Sequence, residues 1–478
     1  MFYDIVIIGG GAAGLMAAYG AASSDPMPAV MVLEKMPRPG RKIMITGKGR
    51  CNFTNLKDWN DFSQHIRTKT NFLKPAFYNL NSQDMIGFFN DHGMETVVER
   101  GDRAFPKSYH ASEVVDTLMN AATRAGAVVR TDSEVKSVVC NESSEGQVFM
   151  VACKDGRSYS CRCLIIATGG LSYPGTGSTG DGYAWARYFG HTIKECFPSL
   201  TALVPKGYKM LDGSVSEPVG SVAARVLAGG PEKRFEPVSP SGLKGHVRRD
   251  TPLSEIGKAL CGIQLKNVGV SLWAGGNMVQ NEMGDIDFTD GGIEGPIGFT
   301  ISRNCVKAII NGGKAYVTVD MKPGVEAAEL KGRIKGIWND VQKDPRSRKM
   351  SLKDMLKILL GKLMPWDLIP GFVKCNPSVL SGKRGNEHID MDALVAALKE
   401  WRFDIEGYVG YERCVVTAGG VSTEEVVAKT MESRIRKGLY LCGEVLDIDS
   451  DTGGYNLQTA FSTGYLAGMN AAKAALAE

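Results

Sequence analysis

The sequence predicts an α/β chain, a parallel sheet with crossing helices, interrupted midway by an inserted unit of antiparallel strands and helices. Three observations predict it. Residues 4–8 read DIVII and run into glycines and a helical pattern, a second strand-glycine-helix series follows 438, and the texture between about 195 and 407 is different. At 478 residues, 43% of them hydrophobic, the chain exceeds one simple core.

The first element, DIVII, is short and rich in β-branched residues, as expected of a strand buried in a parallel sheet. Gly9, Gly11 and Gly14 follow at G-x-G-x-x-G spacing, before a helical pattern that runs to about Ser23. Gly9 permits the tight turn, Gly11 lets a pyrophosphate approach the backbone, and Gly14 lets helix and strand pack closely. The free N–H groups and positive dipole end of that helix suit phosphates, so Ala12 and Ala13 belong to the candidate site. A second apolar run, Val30 to Leu33, ends in Glu34, 20 residues after Gly14, with Lys35 beside it. A carboxylate there accepts bonds from a ribose diol and repels a 2′-phosphate. These elements predict a dinucleotide site, without separating FAD from NAD.

Three later segments select FAD. Gly40 to Asn55, GRKIMITGKGRCNFTN, is a glycine-rich basic loop whose Arg41, Lys42, Thr46, Gly47, Gly49, Arg50, Cys51 and Asn52 can lie along a pyrophosphate and ribityl chain. It lacks the G-K-[ST] ending of a Walker loop, and a solvated basic loop is the plainer alternative. Leu164 to Gly170, LIIATGG, is an apolar strand ending in a small-residue turn at Thr168, Gly169 and Gly170, which lets the chain pass close to a cofactor. In the closing segment, a strand at Leu439 to Cys442 ends at Gly443 and Glu444, and Glu444 can bond ribityl hydroxyls. Gly453 and Gly454 then open a helix near Asn456, whose N-terminus can stabilise negative charge on reduced flavin.

These stretches carry a resemblance. GGGAAGL at 9–15, GKGRCNFTN at 47–55, ATGGLSYPGTGSTGDGY at 167–183, VTAGGV at 416–421 and GEVLDIDSDTGGYNLQTAFSTG at 443–464 resemble the YhiN/BaiN-type flavoproteins. That family is a branch of the glutathione-reductase-like FAD superfamily. The resemblance implies a Rossmann-like FAD domain with a β-meander, with contacts from Ala13, Glu34, Arg41, Gly49 to Asn52, Val135, Thr168, Asn456 and Leu457. Val135 has ordinary core as its alternative. The chain departs from the family at Thr46, Gly47 and Lys48, where the family has a serine and glycines; Lys48 either tunes the cofactor or faces water.

The expected domains are therefore a split FAD domain, 1–194 and 408–478, around an insert at 195–407. In the insert, LTALVP, VGSVAARVLAGG, VGVSLWAGG and KAYVTVDM suggest a small antiparallel barrel or sandwich up to about 320. Helical periodicity follows at Ala327 to Trp366 and Met391 to Trp401. Leu352, Met355, Leu356, Leu359, Leu360 and Leu363 form a stripe, read as core with a docking face as the alternative. The basic pieces PEKRF (231–235) and KGHVRR (244–249) read as solvated hairpin tips.

The residues exclude several classes. A formal charge of +4 does not call for nucleic acid, and no apolar run is long enough to span a membrane. Eleven cysteines without a framework fit reduced thiols in the cytoplasm. Cys161 and Cys163 lack a partner pair at zinc spacing, so no metal is expected. Nothing sets an oligomeric state. The resemblance implies an FAD-dependent oxidoreductase passing a hydride between flavin N5 and a small apolar substrate, with reduction of an activated carbon–carbon double bond as the reaction type. NAD(P)H is a transient donor at most, since no second strand–G-x-G-x-x-G–helix unit is visible. Two rivals stay open: an RNA-associated flavoprotein, favoured by a pI of about 8.4, and a flavin-binding sensor without turnover. Tyr173, Tyr455 and His110 are proton donors by type only, so no catalytic acid is assigned. Cys51 beside Arg50 is either a redox-active thiolate or a buried inert thiol.

Overall fold

A computed structural model describes residues 1–143, 146–211, 244–382 and 386–477. They fall into two compact units. One is built from Met1–Ser199 and Cys414 onward, the other from residues 200–211 and 244–413.

The first unit is organised by β1 (Phe2–Ile8), whose last four residues are buried, as a β-branched strand with sheet on both sides should be. It pairs in parallel with β2 (Val30–Leu33), which pairs in parallel with β3 (Val128–Arg130). Three further strands, β4 (Val135–Ser143), β5 (Gly146–Cys153) and β6 (Ser158–Ile166), form an antiparallel meander. The last of them returns to lie parallel to β1. The sheet order is thus β3-β2-β1-β6-β5-β4. Cys161 and Cys163 share the buried run of β6, and all eleven cysteines are free thiols.

Helix α1 (Ala12–Ala22) crosses from β1 to β2, and its alanines and leucine are buried almost all round. Further elements are α2 (Arg41–Ile45), α3 (Ala111–Arg124), α4 (Asp181–Tyr188) and β7 (Ile193–Ser199). The chain re-enters this unit through β8 (Val416–Val421), which pairs antiparallel with β7. That pairing carries the unit past the expected boundary at 194. Then β9 (Leu439–Leu441) joins β6 in parallel, and α5 (Tyr455–Leu476) ends the chain.

The first and last helices touch through glycine. A Cβ on Gly464 would lie 2.2 Å from the Ala13 carbonyl oxygen, and one on Gly468 would lie 2.0 Å from that of Ala17. Only bare backbones can approach so closely, and this contact fixes the closing helix beside the opening one.

In the second unit six strands close on themselves antiparallel, in the order 203–205, 292–294, 277–289, 264–274, 315–320, 401–409 and back to 203–205. This is a barrel rather than an open sandwich. Inward residues alternate along its strands, as in Val317, Val319, Phe403 and Ile405. Helices Ala327–Lys343, Leu352–Gly361 and Met391–Lys399 follow the periodicity expected. Leu356, Leu359, Leu360 and Leu363 are buried, while Leu352 and Met355 are only partly buried. Most of the stripe is therefore core. KGHVRR is not a hairpin tip: His246 and Val247 pair in parallel with Tyr408 and Val409, and Val247 is buried. PEKRF and VGSVAARVLAGG lie outside the described residues.

Candidate cofactor and active site

The ends of β1, β2, β6 and β9 open on one cavity of the first unit, about 1290 Å³ with its mouth included. Its walls come from residues more than 440 positions apart, Ile8 to Ala460.

One end is local in sequence. Gly9 has a φ of +106°, which only glycine adopts readily, and a Cβ there would strike the Ala167 carbonyl at 2.5 Å. A Cβ on Gly14 would lie 1.8 Å from the Gly9 oxygen, so helix and turn touch at that point. Gly11 is different. A Cβ there would meet no protein atom within 4 Å, and it would project into the cavity. No side chain caps α1, which leaves its first N–H groups to the cavity. Glu34, 8% exposed, accepts from the Gly10 N–H at 2.7 Å and the Met36 N–H at 2.8 Å. Burial raises its carboxyl pKa above the ordinary range, against the lowering effect of those two N–H groups. Lys35 pairs with Asp181 at 2.7 Å and bonds Thr179.

The other end gathers distant segments. Lys42 forms an ion pair with Glu444 and also bonds Ser172. The other oxygen of Glu444 accepts from Ser172 Oγ at 2.7 Å and from the Thr417 N–H at 2.8 Å. Thr417 Oγ1 in turn accepts the N–H groups of Leu171 and Ser172. Asn456 donates to the carbonyls of Ser450 at 2.9 Å and Asp451 at 3.0 Å. This clasp sets the loop that precedes α5.

Of the residues expected at the site, Gly9, Gly11, Ala12, Ala13, Glu34, Lys35, Arg41, Lys42, Thr46, Val135, Thr168, Gly169, Gly443, Glu444, Asn456 and Leu457 line this cavity. Gly14, Gly47, Gly49, Arg50, Cys51, Asn52, Gly170 and Gly454 do not line it. Gly14 is a packing residue, and Gly170 packs on Thr417, whose Oγ1 a Cβ would approach to 2.6 Å. The expected loop at 40–55 is partly helical, in α2 and a 3-10 turn at Thr46–Gly49. That folding turns Arg50 outward, over the Phe105 ring at 4.9 Å and 3.4 Å from Glu99. It sends Cys51 inward instead, into a core with Phe53, Met85 and Phe89. There burial pushes the thiol pKa up to about 12, the opposite of an activated thiolate. Lys48 is exposed. Of the proton donors named by type, His110 precedes α3, away from the cavity wall, and Tyr455 is buried at the start of α5.

The sequence reading missed Ser172, Thr417, Ser133 and Ile448. Ser172 and Thr417 sit inside quoted motifs, in LSYPG and VTAGGV, but nothing local marks them as partners of Glu444. Gly464 and Gly468 had a legible signal in their four-residue spacing.

The residues present suit FAD. The space left beside Gly11, the uncapped α1 and the buried, partnerless Thr168 hydroxyl in the cavity wall are what a bound pyrophosphate and its neighbours require.

Comparison with known proteins agrees. The HI0933-like protein Rossmann-domain family matches residues 3–470. The 3-dehydro-bile acid delta(4,6)-reductase of Clostridium scindens is 31% identical over 98% of this chain and 99% of its own length. The ribosomal RNA dihydrouridine synthase of Escherichia coli is 28% identical over 97% of this chain and 96% of its own. Its Haemophilus influenzae namesake is 28% identical over 98% of each. With the fold, the cavity and these relatives in agreement, the chain belongs to the HI0933-like Rossmann family and is an FAD-dependent oxidoreductase.

Proposed function

We propose that this protein reduces a carbon–carbon double bond conjugated to a carbonyl in a small, largely apolar molecule. The observation that carries this reading is the full-length relationship to the Clostridium scindens reductase, whose name specifies double-bond reduction. FAD, when bound, supplies the hydride chemistry. The chain's own residues bind and orient it. Glu34 would take the adenosine ribose hydroxyls on its remaining lone pairs. Gly11, Ala12 and Ala13 would offer N–H groups to the pyrophosphate, and Val135 would hold the adenine. The Lys42–Glu444–Ser172 network would face the ribityl chain, and Asn456 and Leu457 at the positive end of α5 would favour negative charge on the reduced ring.

NAD(P)H is proposed as a donor that docks transiently, because only the G-x-G-x-x-G at 9–14 links two parallel strands through a helix, and that one is assigned to FAD; the second, GTGSTG at 175–180, leads through α4 to β7, which pairs antiparallel. The eleven free thiols support a reducing, cytoplasmic setting. A second reading is favoured by the two relatives named ribosomal RNA dihydrouridine synthases: reduction of a uracil ring in RNA, also a double bond conjugated to a carbonyl. An anaerobic screen separates the readings. FAD-loaded protein is reduced with NADPH and mixed with cyclohexenone, an enone steroid or ribosomal RNA, while flavin absorbance is followed. Reoxidation by the enones supports the first reading and by RNA alone the second. Enone rates no faster than with free reduced flavin would defeat the first.

A further inference from the structure

We propose that residues 174–181 form a strap over the pyrophosphate and adenosine end of FAD, latched by Lys35 and Asp181, and that Ser178 bonds the pyrophosphate. The proposal rests on the placement of FAD given above, with the adenosine at Glu34.

The strap is fixed at both ends. Before it, the Leu171 and Ser172 N–H groups donate to Oγ1 of the buried Thr417. After it, α4 packs on the end of β6: a Cβ on Gly182 would lie 2.2 Å from Thr168 Oγ1 and 2.9 Å from the Ile166 side chain. Between these anchors the chain passes through a 3-10 turn at Pro174–Thr176 and then Gly177 and Gly180, whose φ angles are +108° and +79°. Thr176, Gly177, Ser178 and Asp181 all line the cavity.

The strap meets the opposite wall through side chains. Among the described residues, no backbone hydrogen bond joins residues 174–181 to residues 34–36. Instead Lys35 Nζ pairs with Asp181 Oδ2 at 2.7 Å and donates to Thr179 Oγ1, which itself donates to Asp181 at 2.9 Å. A Cβ on Gly177 would lie 3.1 Å from Met36 and 3.4 Å from Lys35, so the bare strap backbone rests on those two side chains. Lys35 and Asp181 line the cavity, yet their side chains are 20% and 25% exposed, which places them at its rim. A partly exposed ion pair adds little to folding. Across a rim it sets how readily the strap lifts. Lys35 therefore holds the strap rather than a phosphate. Arg41 on the same wall, whose guanidinium no described residue bonds, is the cation left for the phosphates.

Ser178 gives the strap its own contact. It is 7% exposed and lines the cavity, and no described residue bonds its hydroxyl. A Cβ on Gly169 would lie 3.0 Å from Ser178 Oγ, so this hydroxyl sits beside Thr168, whose buried hydroxyl is also partnerless. Both stand next to the Gly9 turn, where a Cβ on Gly9 would lie 3.1 Å from the Thr168 backbone. Two unsatisfied donors on one stretch of wall call for an acceptor from a ligand, and the pyrophosphate beside Gly11 supplies it.

Release of FAD from loaded, full-length protein, followed by flavin fluorescence after dilution, tests the latch. Asp181→Asn should release FAD about tenfold faster, while the flavin-free variant melts as the native protein does. Simple electrostatics gives the opposite sign, because removing a negative charge near phosphates would slow release. Raising NaCl from about 0.05 to 0.5 M should speed release from the native protein more than from Asp181→Asn. Calorimetry on flavin-free protein tests the contact. Ser178→Ala should weaken ADP binding about fivefold and leave binding of riboflavin, which has no pyrophosphate, unchanged. If Asp181→Asn does not fold, Thr179→Val, which removes the second branch of the latch, is read for the same acceleration. Release no faster than native overturns the latch. An unchanged ADP affinity in Ser178→Ala, or riboflavin weakened equally, overturns the contact. Native protein that binds riboflavin but no ADP overturns the placement of FAD and this proposal with it.

Discussion

The two ends of the cavity are built by different rules. The end at Glu34 comes from one stretch, residues 9–35, in which strand, turn, helix and second strand follow one another. The end at Asn456 is assembled from five separated segments, and its central ion pair joins Lys42 to a residue 402 positions away. The first end is a local code, so each glycine has a role set by its neighbours. At the second, the role of a residue is set by partners that only the fold supplies.

Substitutions can break or sharpen this contrast. The largest effect is expected at Gly14, where Gly14→Ala forces a Cβ onto the Gly9 carbonyl at 1.8 Å. Thermal unfolding should show a loss of about 3 kcal/mol or more, and the protein should be recovered without flavin. Three positions earlier the same change should separate binding from folding. Gly11→Ala meets no protein atom, so the flavin-free protein should melt as the native one does. Its FAD dissociation constant should nonetheless rise about 100-fold, roughly the 2–3 kcal/mol of a blocked close contact. If both variants lose stability equally, the distinction between packing glycine and ligand-facing glycine fails.

Glu34 gives an intermediate effect with a pH signature. Its carboxyl pKa is raised in the folded protein by burial, so the folded state binds its proton more tightly than the unfolded state does. The flavin-free protein should therefore lose stability from this group as pH rises from the ordinary carboxylate range through the raised value. Glu34→Gln should flatten that slope in a series of melts and weaken FAD binding about tenfold, near the 1.5 kcal/mol of one charged hydrogen bond. The smallest effect belongs to Cys51. Cys51→Ser should leave the flavin spectrum and turnover unchanged and cost about 1 kcal/mol of stability, since the thiol is a protonated core group. A new or lost long-wavelength band in the variant would restore the redox role.

Much of the architecture was legible because it rests on period and punctuation. Val, Ile and Leu at 4–8 and 30–33, the glycines between them and the acid at 34 each follow from backbone sterics and buried strands. The alternation at 315–320 and the stripe at 352–363 were readable for the same reason. The remainder depended on contacts between distant residues. Arg50 and Cys51 are adjacent in sequence and look like a guanidinium activating a thiol. The short helix at Arg41–Ile45, too brief to show a period, sends them to opposite sides. His246 and Val247 sit among basic residues that look like a solvated tip, yet they complete an edge beside Tyr408. Glu444 was readable as a site residue, whereas its partners Ser172 and Thr417 were not, because neither lies within 20 positions of it.

The central claim is that one FAD molecule reaches from Glu34 to Asn456 in a single cavity. A crystal structure of the flavin-loaded protein tests it most directly. It should place the adenosine ribose on the Glu34 carboxylate, the pyrophosphate against Gly11 and the ring system beside Asn456. Flavin density elsewhere, or an adenosine end away from Glu34, would contradict it.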